Sequence, residues 1–173
     1  MTAQYHPIAR GLHWLMAVMI MGLLALGFYM SDLDFSPEKL QLYSYHKWAG
    51  VTVFVLVWLR LAWRWVSPPP AMPADLHPHA QRAAHAAHWA LYALMLALPL
   101  SGWLMSSAKG VPTVWFGVLP LPDLVAKDKA LGHTLEEIHE LLSVGILGLM
   151  TLHATAALWH HFVKRDDTLR RML

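Results

Sequence analysis

Four long apolar runs, set apart by short stretches of polar residues, glycine and proline, organise the chain. The first, Ile8 to Met30, exceeds the roughly 20 residues a helix needs to cross a bilayer and is interrupted early by Arg10 and His13. Its apolar stretch after Leu12 is longer than the core of a signal peptide, so the segment is expected to stay in the membrane rather than be cleaved. Ser31 to Pro37, with Asp32 and Asp34, reads as a polar turn, and Pro37 suits the first turn of a second helix over about Glu38 to Val66. Ser67 to Pro78 contains Pro68, Pro69 and Pro70 and cannot be helical at its centre. A third helix is expected over about His79 to Ser107, with Pro99 a candidate kink, and a fourth over Glu136 to Lys164. Between them Ala108 to Leu135, rich in glycine and proline and holding Trp115 and Phe116, reads as an ordered surface loop. The fold class that follows is all-α: an integral membrane four-helix bundle forming one domain over residues 1–173.

Composition agrees with a membrane class. At 57% hydrophobic and 14% charged residues the chain is too apolar for an ordinary soluble domain of this length. The absence of cysteine excludes disulfides, thiolate metal sites and the covalent attachment of a c-type haem, so any haem is held noncovalently. Twelve histidines and nine tryptophans are many for 173 residues, and tryptophan gathers where a membrane meets water. A formal charge of +2, with no basic surface interleaved with aromatics, argues against a nucleic-acid partner.

The basic residues set the expected orientation. With both termini inside, the inner side receives Arg10, Arg60, Arg64, Arg82, Lys164, Arg165, Arg170 and Arg171, and so holds all seven arginines. The outer side receives five lysines: Lys39, Lys47, Lys109, Lys127 and Lys129. This bias predicts an N-in, C-in topology. Asp75, Asp166 and Asp167 fall inside, and eight acidic residues against the five lysines leave the outer face at net −3.

His139, His153 and His160 recur on the fourth helix at intervals of fourteen and seven, so they share one face, the first two lying roughly 21 Å apart along the axis. Imidazole in hydrocarbon is costly enough that each is a functional candidate whose partner must be named. In the expected topology His13, near the inner end of the first helix, shares a depth with His153, and His46, near the outer end of the second, shares one with His139. Each side of the membrane thus offers one facing pair. Two imidazoles on opposite faces of a porphyrin make a six-coordinate iron with no open site, suited to electron transfer. On this reading His13 and His153 are the axial ligands of an inner haem and His46 and His139 those of an outer one.

Arg60, fourteen residues after His46, points toward the inner pair, where a guanidinium would hold haem propionates. His85 and His88 in the third helix fall near the same depth and either support or replace His13. Gly27, Gly50, Gly145 and Gly148 stand where a bulkier side chain would crowd a ring, although glycine is common at any transmembrane helix contact. His6, His77, His79, His133 and His161 read as interfacial. His160 either anchors its helix at the headgroups or, titrating near neutral pH, hydrogen-bonds a quinone and relays a proton. A histidine-lined metal or proton transporter, the non-redox alternative, would want acidic residues near the span centres, where the sequence has none.

The histidines near the inner end of the first span and the outer end of the second come with Leu98-Pro99-Leu100-Ser101-Gly102-Trp103 in the third. The fourth holds His139-Glu140, Leu152-His153-Ala154 and Trp159-His160-His161, followed by a closing Lys164-Arg165-Asp166-Asp167-Thr168-Leu169-Arg170-Arg171-Met172. This ordered set resembles the bacterial cytochrome b561 family over nearly the whole chain. The resemblance implies two noncovalent b haems on the ligand pairs above, in an inner-membrane oxidoreductase that exchanges electrons with quinone. The chain looks like the superoxide oxidases of that family, which implies an electron taken from periplasmic superoxide and passed to ubiquinone, with His160 in the quinone site. The implied partners are the lipid bilayer, quinone and a small periplasmic donor. A net negative outer face is at odds with capture of an anion, unless Lys109, Lys127 and Lys129 form a local patch. The alternatives within the class are a generic quinol-linked carrier and the cytochrome b subunit of a larger complex such as a hydrogenase.

Overall fold

The computed structural model describes residues 4–71 and 77–173. Its four helices are α1 (Pro7–Ser31), α2 (Pro37–Val66), α3 (Pro78–Ala108) and α4 (Lys129–Trp159). A small hairpin of β1 (Val114–Trp115) and β2 (Leu119–Pro120) lies between α3 and α4, a π-helical turn over His160–Lys164 follows α4, and a 3-10 turn spans Arg170–Met172. Each of the four helical spans is long and apolar enough to cross a membrane, with mean hydropathy between 1.4 and 1.9 in its most apolar window. Asp75, counted among the inner acids, lies outside the described residues.

The first three helices begin in the same way. A capping side chain precedes a proline whose missing N–H would have had no partner in the first turn: His6 before Pro7, Ser36 before Pro37 and His77 before Pro78. His6 Nδ1 accepts from Ile8 N and His77 Nδ1 from His79 N, both at 3.3 Å, and Ser36 Oγ accepts from Lys39 N at 3.2 Å. α3 runs unbroken through Pro99.

The fourth helix starts earlier than its apolar run suggested. It begins at Lys129 instead of Glu136, because Asp128 Oδ1 accepts from Ala130 N at 2.9 Å and from Leu131 N at 3.0 Å. The stretch expected as a loop to Leu135 therefore includes almost two helical turns, and its remainder holds the hairpin. There Val118 N donates to Trp115 O at 3.0 Å, with positive φ at both central residues, Phe116 (50°) and Gly117 (71°), as a type I′ turn requires. Trp48 Nε1 donates to Val114 O at 2.6 Å and Trp115 Nε1 to Trp48 O at 3.2 Å, tying the hairpin onto α2.

Heptad spacing decides which face of each helix is buried. Ile20 stands midway between His13 and Gly27, Val53 between His46 and Arg60, and Ile146 between His139 and His153. These three midpoints are 7%, 3% and 1% exposed and join Met16, Val57 and Tyr92 in a single apolar cluster. The faces carrying the histidines are therefore the faces turned inward. The opposite faces carry apolar side chains in the open, such as Trp65 at 90% and Leu141 at 72%, which suits contact with lipid. Helix packing runs from α1 to α2, α2 to α3 and α3 to α4.

Asp128→Ala removes the cap of α4 and is expected to cost about 1 kcal/mol. Hydrogen exchange should then quicken over residues 129–135 and not beyond; unchanged exchange there would show that the cap is not what starts the helix.

Candidate functional site

The inward faces bring the predicted histidines together in two layers. The rings of His13 and His153 have their centres 6.2 Å apart and tilted by 70°, and those of His46 and His139 lie 6.3 Å apart and tilted by 74°. A metal to imidazole nitrogen bond is about 2 Å and a ring nitrogen lies about 1 Å from the ring centre, so two imidazoles ligating one metal from opposite sides stand about 6 Å apart. Both pairs match that separation. Among the described residues no group of three or more His, Cys, Asp or Glu side chains converges as a bare ion would need. Two ligands alone suit a metal that brings its other ligands in a macrocycle.

The His46 layer is built as a receptacle. It opens on a cavity of about 480 Å³, within the range of about 300–1,000 Å³ typical of small-molecule and cofactor sites. His46 Nδ1 is buried and has no hydrogen-bond partner. Glycines form the back wall: a Cβ at Gly27 would stand 3.3 Å from His46 Cε1, and one at Gly102 would stand 3.2 Å from His139 Cε1. Behind His139, Ser101 Oγ lies 2.9 Å from Nδ1 while also contacting Leu98 O at 2.8 Å. The hydroxyl has one proton, and donating it to the Leu98 carbonyl makes it the acceptor from His139 Nδ1–H. That tautomer leaves Nε2 with its lone pair for a metal. The ring separation, the glycine cradle and this tautomer fit a haem iron held between His46 and His139.

The His13 layer has a third member. His88 on α3 stands with its ring centre 5.3 Å from that of His153, closer than His13, while His85 is exposed. Arg60 lies within electrostatic reach of His13, His88 and His153. Its Nε donates to Tyr92 Oη at 3.1 Å, and Arg64 stacks over the Trp89 ring at 5.6 Å. Guanidinium groups therefore stand beside this layer, whereas Lys47, Glu136 and Glu140 line the cavity at the His46 layer.

His160 keeps α-helical backbone, with its N–H bonded back to Ala156 O and Ala157 O, so the count of seven from His153 still reaches it. α4 gives way after Trp159 to a π turn that changes the rotation per residue, so the heptad count stops being a guide beyond His160. The ring is half-buried, with Nδ1 2.5 Å from Asp166 Oδ2. Gly50, Gly145 and Gly148 do not back a histidine ring: a Cβ at any of them would meet nothing within 4 Å.

Gly102, Ser101, Tyr92 and Asp166 are the site residues that sequence reasoning left without a role. For two of them a signal existed, since Gly102 stands fourteen residues after His88 and Tyr92 seven before Pro99, on the same repeats that were followed in the other helices. For Ser101 and Asp166 the signal is tertiary.

Comparison with known proteins agrees with this architecture. A family model described as prokaryotic cytochrome b561 matches residues 4–173. "Cytochrome b561 homolog 2" of Escherichia coli (strain K12) is 35% identical over 177 residues, covering 98% of this chain and 91% of the relative. "Probable superoxide oxidase CybB" of Yersinia pestis is 30% identical over 176 residues, covering 100% of this chain and 97% of the relative. "Cytochrome b561 homolog 1" of Escherichia coli (strain K12) is 36% identical over 138 residues, covering 74% and 72%. With four membrane-crossing helices and a match of this extent, the chain belongs to the prokaryotic cytochrome b561 family, whose members are membrane electron-transfer proteins carrying b-type haem.

Proposed function

We propose that this protein is a di-haem oxidoreductase of the bacterial inner membrane that passes electrons from superoxide on the periplasmic side to ubiquinone on the cytoplasmic side. The observation that carries this reading is the repetition of one geometry at two depths: facing imidazoles 6.2 and 6.3 Å apart, joined by a single α4 stripe with roughly 21 Å between its two histidines. A b haem bound at each pair supplies a one-electron centre whose ligands need not change with redox state. His13 and His153 hold the inner one and His46 and His139 the outer one. Arg60, kept in place by Tyr92, faces the inner propionates.

The charges give the pair a direction. A cation beside a redox centre stabilises its reduced form and an anion disfavours it. Arg60 stands at the His13 layer and stabilises a reduced centre there, which favours an electron moving inward, while at the His46 layer Glu136 and Glu140 are offset by Lys47 and by Lys109, paired with Glu136 at 2.6 Å. Superoxide as donor draws support from the lysines. Lys109, Lys127 and Lys129 line one outer cavity, and two of them lie close over glycines: a Cβ at Gly110 would stand 2.9 Å from Lys127 Cδ, and one at Gly132 would stand 3.0 Å from Lys109 Cγ. Lys109 is paired with Glu136 at 2.6 Å, so the local positive field rests on Lys127 and Lys129. The relative named for superoxide oxidation, 30% identical over the full chain, supports the same donor. At the other end His160 supplies a titratable group to a quinone near the inner centre.

Stopped-flow mixing of oxidised protein with superoxide, with and without ubiquinone, tests the whole reading. Rapid haem reduction followed by quinone-dependent reoxidation is expected, and no reduction by superoxide would remove it as donor. Haem analysis should give two per chain, with His153→Ala losing the inner haem and His46→Ala the outer; one haem per native chain would end the di-haem reading. Arg60→Gln should lower the inner haem's potential while both haems are retained, which a redox titration would register. His160→Ala should keep both haems and their reduction by superoxide but slow reoxidation by quinone, and an unchanged reoxidation rate would remove His160 from the quinone site.

A further inference from the structure

We propose, resting on the reading of His160 as the quinone contact, that Asp166 is its positioning residue, a carboxylate that fixes the His160 tautomer and presents Nε2 to the quinone. Two departures from regular backbone at the end of α4 place it there. The helix loosens into a π turn over His160–Lys164, a form frequent at functional sites. Arg165 then takes left-handed backbone at φ 55° and ψ 33°, a conformation that glycine or asparagine adopts more readily, and the chain doubles back. The His160 carbonyl accepts from both Arg165 N and Asp166 N, so the reversal is hinged on His160 itself. Its result is the contact of 2.5 Å between Asp166 Oδ2 and His160 Nδ1.

Asp166 is held from its other side as well. Its Oδ1 accepts from Thr168 N at 2.9 Å. The chain beyond it is fastened across the bundle end: Tyr5 N donates to Arg171 O at 3.1 Å, Trp14 Nε1 to Met172 O at 2.9 Å, Arg171 Nη2 to Ala71 O at 2.7 Å, and Arg10 to Leu173 O. The segment beyond the carboxylate is thus fastened to α1 and to the connection after α2, so the place of Asp166 does not rest on its contact with the His160 ring alone.

The protonation state follows from chemistry. Burial acts to raise the Asp166 carboxyl, but hydrogen bonds from His160 and Thr168 outweigh it and hold the group below the ordinary carboxylate range. An ionised carboxylate only accepts, so His160 Nδ1 carries the proton and a neutral His160 has its lone pair on Nε2. A ring that takes a proton at Nε2 donates from both nitrogens, Nδ1 to Asp166 and Nε2 to a quinone carbonyl. Reduction of one ubiquinone then balances as follows: two superoxide anions lose one electron each and leave as dioxygen, one proton passes from His160 Nε2 to the nearer quinone oxygen, the second oxygen takes its proton from water, a second water restores Nε2, and the two hydroxides left carry away the two negative charges. This is the division of labour between an imidazole and its orienting carboxylate known from hydrolytic triads, here set at a membrane surface.

Asp166→Asn separates positioning from a merely structural role, because its amide oxygen still accepts from Thr168 N while its NH₂ must donate to His160 Nδ1. In the reduced, diamagnetic holoprotein, ring 15N shifts of His160, assigned by comparison with His160→Gln, should show Nδ1–H in the native chain and Nε2–H in Asp166→Asn. Reoxidation by a short-chain ubiquinone should slow at least about tenfold with both haem spectra unchanged. An unchanged tautomer, whether or not the rate falls, would overturn the proposal. A switched tautomer with an unchanged rate would instead overturn the placement of quinone at His160 and leave the positioning by Asp166 standing.

Discussion

An imidazole inside a bilayer has no water to satisfy it, and the bundle is arranged around that constraint. Each of the four inward histidines at the two layers faces another histidine across the bundle, at a separation that one metal atom fills. Ile20, Val53 and Ile146 pack between the layers at the middle of the membrane, and each is the halfway member of a heptad stripe that carries site residues at both ends. The same side chains that exclude water from the centre therefore set the separation and the phase of the two sites. A change at any of them would be felt at both layers at once, because packed interiors transmit displacement.

The two layers share a ligand geometry and differ in nearly everything around it. At His46 and His139 the surroundings are glycine, serine and a cavity, with carboxylates at its rim. At His13 and His153 they are a third histidine, a guanidinium bonded to a tyrosine and a second guanidinium stacked on tryptophan. The first environment makes room and the second supplies positive charge. The two layers thus differ in their flanking residues, with the histidine pairs themselves alike.

The fourth helical span is lengthened at its start and irregular at its finish. At its start Asp128 adds nearly two turns ahead of the apolar run, which carries Lys129 and His133 into the same outer cavity as Lys109 and Lys127. At its finish a π turn and a left-handed Arg165 reverse the chain onto His160. The middle of α4 is a ruler that sets two depths, and its ends lie where the bundle meets the membrane surfaces.

Rigid helical repetition explains what could be read without coordinates. A helix advances about 1.5 Å and turns about 100° per residue whatever its sequence, so counting sevens from His139 gave the depth and the face of His153, the same count on α1 and α2 reached Gly27 and Arg60, and the expected topology gave His13 and His46 their partners by depth. Four spans, their order and the inward faces were legible for that reason. The start of α4 was legible too, since Asp128 is an ordinary capping residue, but the apolar pattern drew attention past it to Glu136. Contacts between helices were not legible in the same way. Ser101 meets His139 across 38 residues, and His88 meets His153 across two different helices, because rotation and tilt of whole helices bring them together. Asp166 reaches His160 only because the backbone leaves the period from which the counting took its authority. The sequence determined what lies on each helix and at what depth, since those are properties of a single rigid rod; the tertiary structure decided which rods meet, and where the last one stops being a rod, since those depend on packing between segments far apart in the chain.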